Sequence, residues 1–273
     1  MKIALYKHDR KDGVEQLKSL LRERGALLLC YGEDFFSGED LPSDTDIFLS
    51  LGGDGTFLHS LTFVRDRGIP VAGINFGHLG FLTTARADES ETWIDDLLAG
   101  RYMVEERKLL KVSCSELEDG FYPFALNEVS LQRRGAGMLS INIRIAGREI
   151  PACRADGLVV ATPTGSTAYN LSVGGPVVMP DSDVMVIAPI APHNLNVRPL
   201  VVSLGSPVEL VFDSREGSAL LAVDNRYVEI PSGTKVGISR GDYGLRYVSF
   251  AGGNFINALR TKLFWGEDLR NAN

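Results

Sequence analysis

Cysteine is scarce: the three among 273 residues, Cys30, Cys114 and Cys153, stand far apart with no CxxC pair. That spacing argues against a disulfide framework and a cysteine-based zinc site, and makes a reducing, cytoplasmic compartment the expectation. Long apolar runs are missing as well, none approaching the roughly 18 residues a membrane span requires. The opening MKIALYKHDR lacks the longer apolar core and small-residue cleavage site of a secretory signal. Neither a membrane nor export is therefore expected. Positive charge is in deficit, with 28 Lys and Arg against 35 Asp and Glu and a net charge of −7. General nucleic-acid binding wants a basic face, so nucleic acid is not an expected partner. An acidic protein that binds anions must gather its cations locally, which gives weight to each arginine beside a motif.

What is present follows two rhythms. Strands expected over 2–7, 26–31, 46–51 and 69–74 alternate with helices over 12–24, 56–67 and 88–99. Such alternation implies a parallel sheet wrapped by helices. After residue 101 the helices nearly vanish. The segments 103–115, 121–132, 139–146, 157–162, 183–189, 199–204, 207–213, 219–223, 227–230 and 244–250 are short, β-branched and bounded by Gly, Pro, Asn or Asp. That is the pattern of an antiparallel-rich sandwich. A helix returns over 255–264 and needs a surface to pack on, for which the first domain is the expected target. The expected division is an α/β domain over 1–102, a β-rich domain over 103–252 and a segment over 253–273 crossing back. The ligand is expected between the two domains.

The first motif is Gly52-Gly53-Asp54-Gly55-Thr56, between the apolar run DIFLSL and the helical pattern TFLHSLTFVRDR. Open parallel sheets place ligands there, beyond the carboxyl end of a strand. Three glycines let backbone approach a phosphate closely, and free amides with the helix dipole favour the anion. A carboxylate in a phosphate loop is out of place unless Asp54 takes a proton from an attacking hydroxyl or faces a divalent cation. The plainer reading is a tight turn with Asp54 near a helix cap. The GxxxxGK[ST] lysine is absent, and Gly53-x-Gly55-x-x-Leu58 does not complete GxGxxG.

The second motif, Asn127-Glu128, interrupts the apolar strand FALNEVSLQ. Neighbours in a strand point to opposite faces, so one of the two is aimed at a ligand or both sit on a solvated edge. The third runs Arg154-Ala155-Asp156-Gly157, a short strand, then Thr162-Pro-Thr-Gly-Ser-Thr-Ala-Tyr-Asn170. Its hydroxyls and amides suit a ribose or phosphate, and the Tyr169 ring offers adenine a stacking surface. The alternative is a Ser/Thr-rich turn opening a short helix. Gly174-Gly175-Pro176 adds a second close-approach segment. His8, His78 and His193 show no ligand spacing, though His78 lies in a loop able to line a cleft. Arg133 and Arg134 read as a solvated strand end, with reach to a donor's phosphates left open.

Together GGDGT at 52–56, NE at 127–128 and ADGLVVATPTGSTAYNLSVGGP at 155–176 strongly resemble the NAD kinase family, in the same order and across both domains. GGDGT alone also resembles diacylglycerol, sphingosine and phosphofructokinase-like kinases; the long third motif separates them. The resemblance implies a phosphofructokinase/diacylglycerol-kinase-like first domain. It implies transfer of a phosphoryl group from ATP or polyphosphate to the 2′-hydroxyl of NAD's adenosine ribose, with Mg²⁺ or another divalent cation. It makes Asp54 the proton acceptor and Gly52, Gly53, Gly55 and Thr56 the phosphate contacts. It assigns NAD binding to Asp54, Gly55, His59, Asn127, Glu128, Arg154, Asp156, Thr164, Thr167, Ala168, Tyr169, Asn170, Leu171, Ser172 and Arg226. Arg226 belongs to Asp224-Asn225-Arg226, where the family has Asp-Gly or Asp-Ser followed by Gln or Arg. Ala155 stands where many members carry Gly or Ser, and Arg154 is implied as the selector of NAD over NADH. Homodimer or homotetramer assembly is implied as well, while the metal-holding residues stay unnamed. Two rivals are a lipid kinase of the same superfamily and a non-catalytic NAD(H) or NADP sensor. The third motif and the lack of a membrane-facing stretch oppose the first, and the carboxylate of Asp54 opposes the second.

Overall fold

The structure, a computed structural model, describes residues 1–7, 13–31, 41–77, 80–194, 196–251 and 255–264. Asp12, His8 and His78 of the expectations above lie outside them, as do residues 253–254 and 265–273 of the expected C-terminal segment. The chain forms two compact units, Met1–Glu106 with Leu245–Asn273, and Arg107–Gly244.

The first unit contains β1 (Lys2–Lys7), α1 (Val14–Glu23), β2 (Leu27–Tyr31), β3 (Ile47–Leu51), α2 (Asp54–Val64), β4 (Val71–Asn75), β5 (Ala85–Arg86), α3 (Ser90–Leu98) and β6 (Met103–Arg107). Its sheet runs β2-β1-β3-β4, then a strand from near the end of the chain, then β6, with β5 beside β4. The pairings of β1 with β2 and β3, and of β4 with β3 and β5, are parallel. All five residues of β3 (IFLSL) and of β4 (VAGIN) are buried, as strands covered on both faces must be. In α1, Val14, Leu17 and Leu21 recur at helical spacing and turn one face to the core. In α3, Trp93, Ile94 and Leu97 do the same.

The second unit holds β7 (Leu110–Ser113), β8 (Phe124–Ala125), β9 (Glu128–Arg133), β10 (Leu139–Ile145), β11 (Arg148–Ala155), β12 (Gly157–Ala161), α4 (Tyr169–Ser172) and β13 (Val184–Ile190). It continues with β14 (Leu200–Ser203), β15 (Val208–Asp213), β16 (Ser218–Val223), β17 (Arg226–Pro231) and β18 (Lys235–Arg240). One sheet is ordered β11-β10-β15-β18-β7-β8 and the other β14-β13-β12-β9-β16-β17. Ile141, Phe212 and Ile238 of the first sheet share one apolar core with Leu131, Val160 and Leu221 of the second. This is the antiparallel sandwich that the short β-branched segments imply. The expected 103–115 and 121–132 each divide in two, and β11 and β18 are strands that the sequence pattern did not single out.

The last elements are β19 (Leu245–Ser249) and α5 (Phe255–Leu263). The segment 244–250, expected within the β-rich region, pairs instead with β4, parallel and with Tyr247 opposite Val71. Thr84 Oγ1 donates to the Val248 carbonyl at 3.1 Å and reinforces that edge. Buried Leu259 anchors α5, and Lys262 reaches the ring of Phe81. The returning helix expected from the sequence is present.

Candidate functional site

The Gly52–Thr56 motif is less of a loop than its composition implies. Asp54 is already the first residue of α2, two positions before the expected start, with extended Gly53 as the cap. Glycine reads as a helix breaker from sequence, yet Gly55 lies inside this first turn. A Cβ at Gly53 or Gly55 would meet nothing within 4 Å beyond its own chain neighbours and helix backbone, so there is open ground above the helix end. Gly52 differs, because Thr56 folds over it and fills the space of a Cβ.

Asp54 is fixed by a second loop. Its Oδ2 accepts the Phe81 N–H at 2.8 Å and its Oδ1 the Leu82 N–H at 3.0 Å. Gly80 passes so close that a Cβ there would overlap the carboxylate. The loop is itself tied down: Gly80 N–H donates to Thr83 Oγ1 at 2.7 Å, and Thr84 N–H to the Gly73 carbonyl at 2.9 Å. The carboxylate is thus oriented by backbone at the positive end of a helix, with open space beside it. His59, a turn further along α2, stacks on Tyr6 at 5.5 Å and meets Phe63 edge-on at 5.7 Å, within an aromatic cluster.

In the second unit the organising residue is Asp224. It has left-handed backbone (φ 53°), and its side chain is fully buried. Its carboxylate accepts the N–H groups of Leu126 at 2.9 Å, Asn127 at 2.8 Å and Glu128 at 3.2 Å. Burial raises its pKa, opposed by Arg226 and by those three amides. Arg226 is 15% exposed, donates to the Phe124 carbonyl at 2.7 Å and lies 5.2 Å over the Tyr122 ring. Burial lowers the Arg226 pKa. Its guanidinium therefore turns inward, and what the structure gives it is the support of Asp224.

Glu128 is buried beside that carboxylate. Burial first and Asp224 second push it up to about 8, against one N–H from Tyr169. At neutral pH it is a carboxylic acid, able to donate as well as accept. Its Oε2 is buried without a partner among the described residues. Asn127 is held through its backbone carbonyl, which accepts the Thr162 N–H at 2.8 Å. Thr162 Oγ1 donates to the Leu126 carbonyl and accepts the Gly165 N–H, so the second motif and the Ser/Thr-rich turn are laced together. A 3₁₀ turn, Thr164–Thr167, precedes α4. Thr164 is buried with its hydroxyl unpartnered among the described residues. Thr167, Ala168, Tyr169 and Leu171 are half-buried, and Ser172 is exposed.

A match to the ATP-NAD kinase N-terminal domain spans residues 37–102, and one to the ATP-NAD kinase C-terminal domain spans 126–250. An NAD kinase of Bacteroides fragilis is 42% identical over 228 residues, 83% of this chain and 79% of that one. An NAD kinase of Flavobacterium psychrophilum is 37% identical over 262 residues, 94% of this chain and 88% of its own. The chain belongs to the NAD kinase family. Two solved structures carry the same fold. The Archaeoglobus fulgidus NAD kinase in complex with ATP has a TM-score of 0.77 at 29% identity, over 97% of this chain and 98% of that one. Yeast NADH kinase complexed with NADH has a TM-score of 0.86 at 22% identity, over 100% and 90%, a likeness of fold alone.

Within this NAD kinase fold, several residues differ from their sequence reading. Arg133 ends β9 half-buried, its Nε pairing with Asp156 at 2.8 Å, whereas Arg134 just beyond it is exposed, as a solvated strand end should be, and pairs with Glu229 at the surface. Asn170 is fully buried, its Nδ2 donating to the carbonyls of Ser166 and Pro176 at 3.0 Å each. Its amide also fills the place of a Cβ at Gly175, so the close approach in Gly174-Gly175-Pro176 is to the protein itself. Arg154 is exposed near the end of β11 and projects from an edge strand. His193 donates its N–H to the Arg154 carbonyl at 2.9 Å. The loop after β4 read as one able to line a cleft, but nothing in its residues marks Gly80, Phe81 and Leu82 as the clamp on Asp54. Among the described residues no three His, Cys, Asp or Glu converge as a metal cage, and no helix is long and apolar enough to cross a membrane.

Proposed function

We infer that the chain transfers the terminal phosphoryl group of ATP to the 2′-hydroxyl of NAD's adenosine ribose, releasing ADP and NADP. The observation that carries this reading is Asp54: a carboxylate clamped by two amides at a helix N-terminus, with unfilled space over Gly53 and Gly55. Phosphate fits the glycine amides. The carboxylate then faces the attacking hydroxyl and takes its proton as the oxygen bonds phosphorus and ADP departs. Asn127, Glu128, Tyr169 and their neighbours form the NAD-binding part of the same reading, with neutral Glu128 free to donate to a ring nitrogen or hydroxyl.

The residues suit a divalent cation that arrives with the donor. Mg²⁺ keeps much of its water and takes one or two carboxylates plus substrate phosphates, and Asp54 is such a carboxylate. When bound, the cation would supply charge neutralisation on the donor phosphates. A cytoplasmic homodimer or homotetramer completes the reading. Support for assembly comes from Leu200 and Val201, 43% and 47% exposed on the edge strand β14.

Incubation with ATP, Mg²⁺ and NAD tests the activity. NADP and ADP in equal amounts, with phosphate on the 2′-position, are expected. A 3′-phosphate, lipid phosphorylation instead, or binding without turnover would overturn it.

A further inference from the structure

The GGDGT segment lacks the lysine that phosphate loops of the Walker type carry. A lysine from the C-terminal helix packs instead on Phe81, in the loop that clamps Asp54. Lys262 lies near the end of α5, and its Nζ stands 4.4 Å from the centroid of the Phe81 ring. Phe81 is the residue whose N–H holds Asp54 Oδ2. Lys262, Phe81 and Asp54 are therefore consecutive members of one cluster within the first unit.

The Lys262 ammonium is buried and has no hydrogen-bond partner among the described residues. An ammonium carries three donors and no acceptor, so such a position is costly unless an anion completes it. The Phe81 ring offsets only part of that cost. Burial lowers the Lys262 pKa and the Asp54 charge opposes the fall, so the two groups act on each other while neither neutralises the cation by direct pairing. A purely structural lysine would be expected to pair with a carboxylate or reach water, as Lys2 does with Asp44 at 2.5 Å. The open ground over Gly53 and Gly55 is where an incoming anion would lie.

We propose that Lys262 binds the anionic oxygens of the transferring phosphoryl group, supplying from the C-terminal helix the cation that the glycine loop lacks. The ligand chemistry is that of a terminal phosphate on a nucleoside triphosphate or polyphosphate chain. Charge builds on those oxygens during transfer, so the contact is worth more in the transition state than in the bound donor. The proposal rests on the kinase reading above.

The test is Lys262→Met, which keeps the length and apolar stem of the side chain, compared with Lys262→Arg, which keeps the charge. Expected for Lys262→Met is a kcat loss of about 10²–10³, the range for removing one preorganised transition-state donor. The KM and Kd for ATP should rise, the Kd for NAD should hold, and the melting temperature should stay level or increase. Lys262→Arg should recover a large part of kcat. A folded Lys262→Met with kcat and ATP Kd near wild type overturns the proposal. So does equal damage from both variants with a lowered melting temperature, because that marks a packing role. Should Lys262→Met not fold, Lys262→Gln carries the same comparison. ATP Kd is read by calorimetry without turnover, so wild-type protein that makes no NADP sinks the kinase reading while this measurement still decides Lys262.

Discussion

Asp224 accepts the backbone N–H of Glu128 at 3.2 Å, and the two carboxyl groups share one buried corner of the second unit. Burial and that neighbouring charge together push Glu128 up to about 8. Its unfolded value is near 4.5, so between these values the folded chain binds a proton that the unfolded chain has released. Stability therefore falls as pH rises through that window, by up to about 1.4 kcal/mol per unit for one proton. Asp224, also raised, contributes in the same sense. Glu128→Gln has nothing to ionise at that position. Thermal melts from pH 5 to 9 should show its curve flatter than wild type, and its melting temperature higher above pH 8 by several degrees. Parallel curves would contradict the assignment.

Asp224 also holds the Arg226 guanidinium in a buried setting, 3.9 Å away. Removing one partner of a buried pair costs about 3–5 kcal/mol, because the other charge stays uncompensated. Asp224→Ala additionally frees three amides and places alanine at a left-handed position. A large drop in denaturant midpoint is expected. Asp224→Asn, whose side chain keeps an acceptor and tolerates that backbone, should lose less. Equal losses would show that neither the acceptor nor the backbone preference matters.

Gly80 tests the clamp. A methyl group there would overlap the Asp54 carboxylate, so Gly80→Ala must push Asp54 away or shift the loop. Overpacking costs about 1–3 kcal/mol, and a misplaced reacting group typically loses about 10²-fold in rate. Activity should therefore fall much further than the melting temperature implies. Normal kcat in Gly80→Ala would mean that the position of Asp54 is not critical.

The parallel half of the first sheet was legible because β3 and β4 are almost wholly apolar, the first followed by Gly52 and the second ending in Asn75. So was the sandwich, from the alternation seen in β10, whose burial swings between core and solvent. β11 was not, since it is a mostly exposed edge strand that carries Pro151. β18 does alternate, with Val236 and Ile238 turned to the core, but the Gly237 between them is a residue that weakens a strand and favours turns. The place of β19 depends on Val71, far away in sequence, and no local pattern encodes such a partner. The same limit applies at the site. Asp54, Asn127 and Glu128 stood out as polar residues in apolar or glycine-rich surroundings. The amides of Phe81 and Leu82 and the ammonium of Lys262 are ordinary until folding sets them beside Asp54.

The central claim is that Asp54 is the base of the transfer. Asp54→Asn keeps its size and loses the base, and general-base loss costs about 10²–10⁴ in rate. The decisive measurement is kcat, NAD Kd and melting temperature on one preparation of that variant. The account predicts a collapse of kcat by at least about 10² with NAD affinity near wild type and the fold intact. A folded variant retaining more than about a tenth of wild-type kcat, short of the loss expected for a general base, would make Asp54 a turn residue and contradict the account.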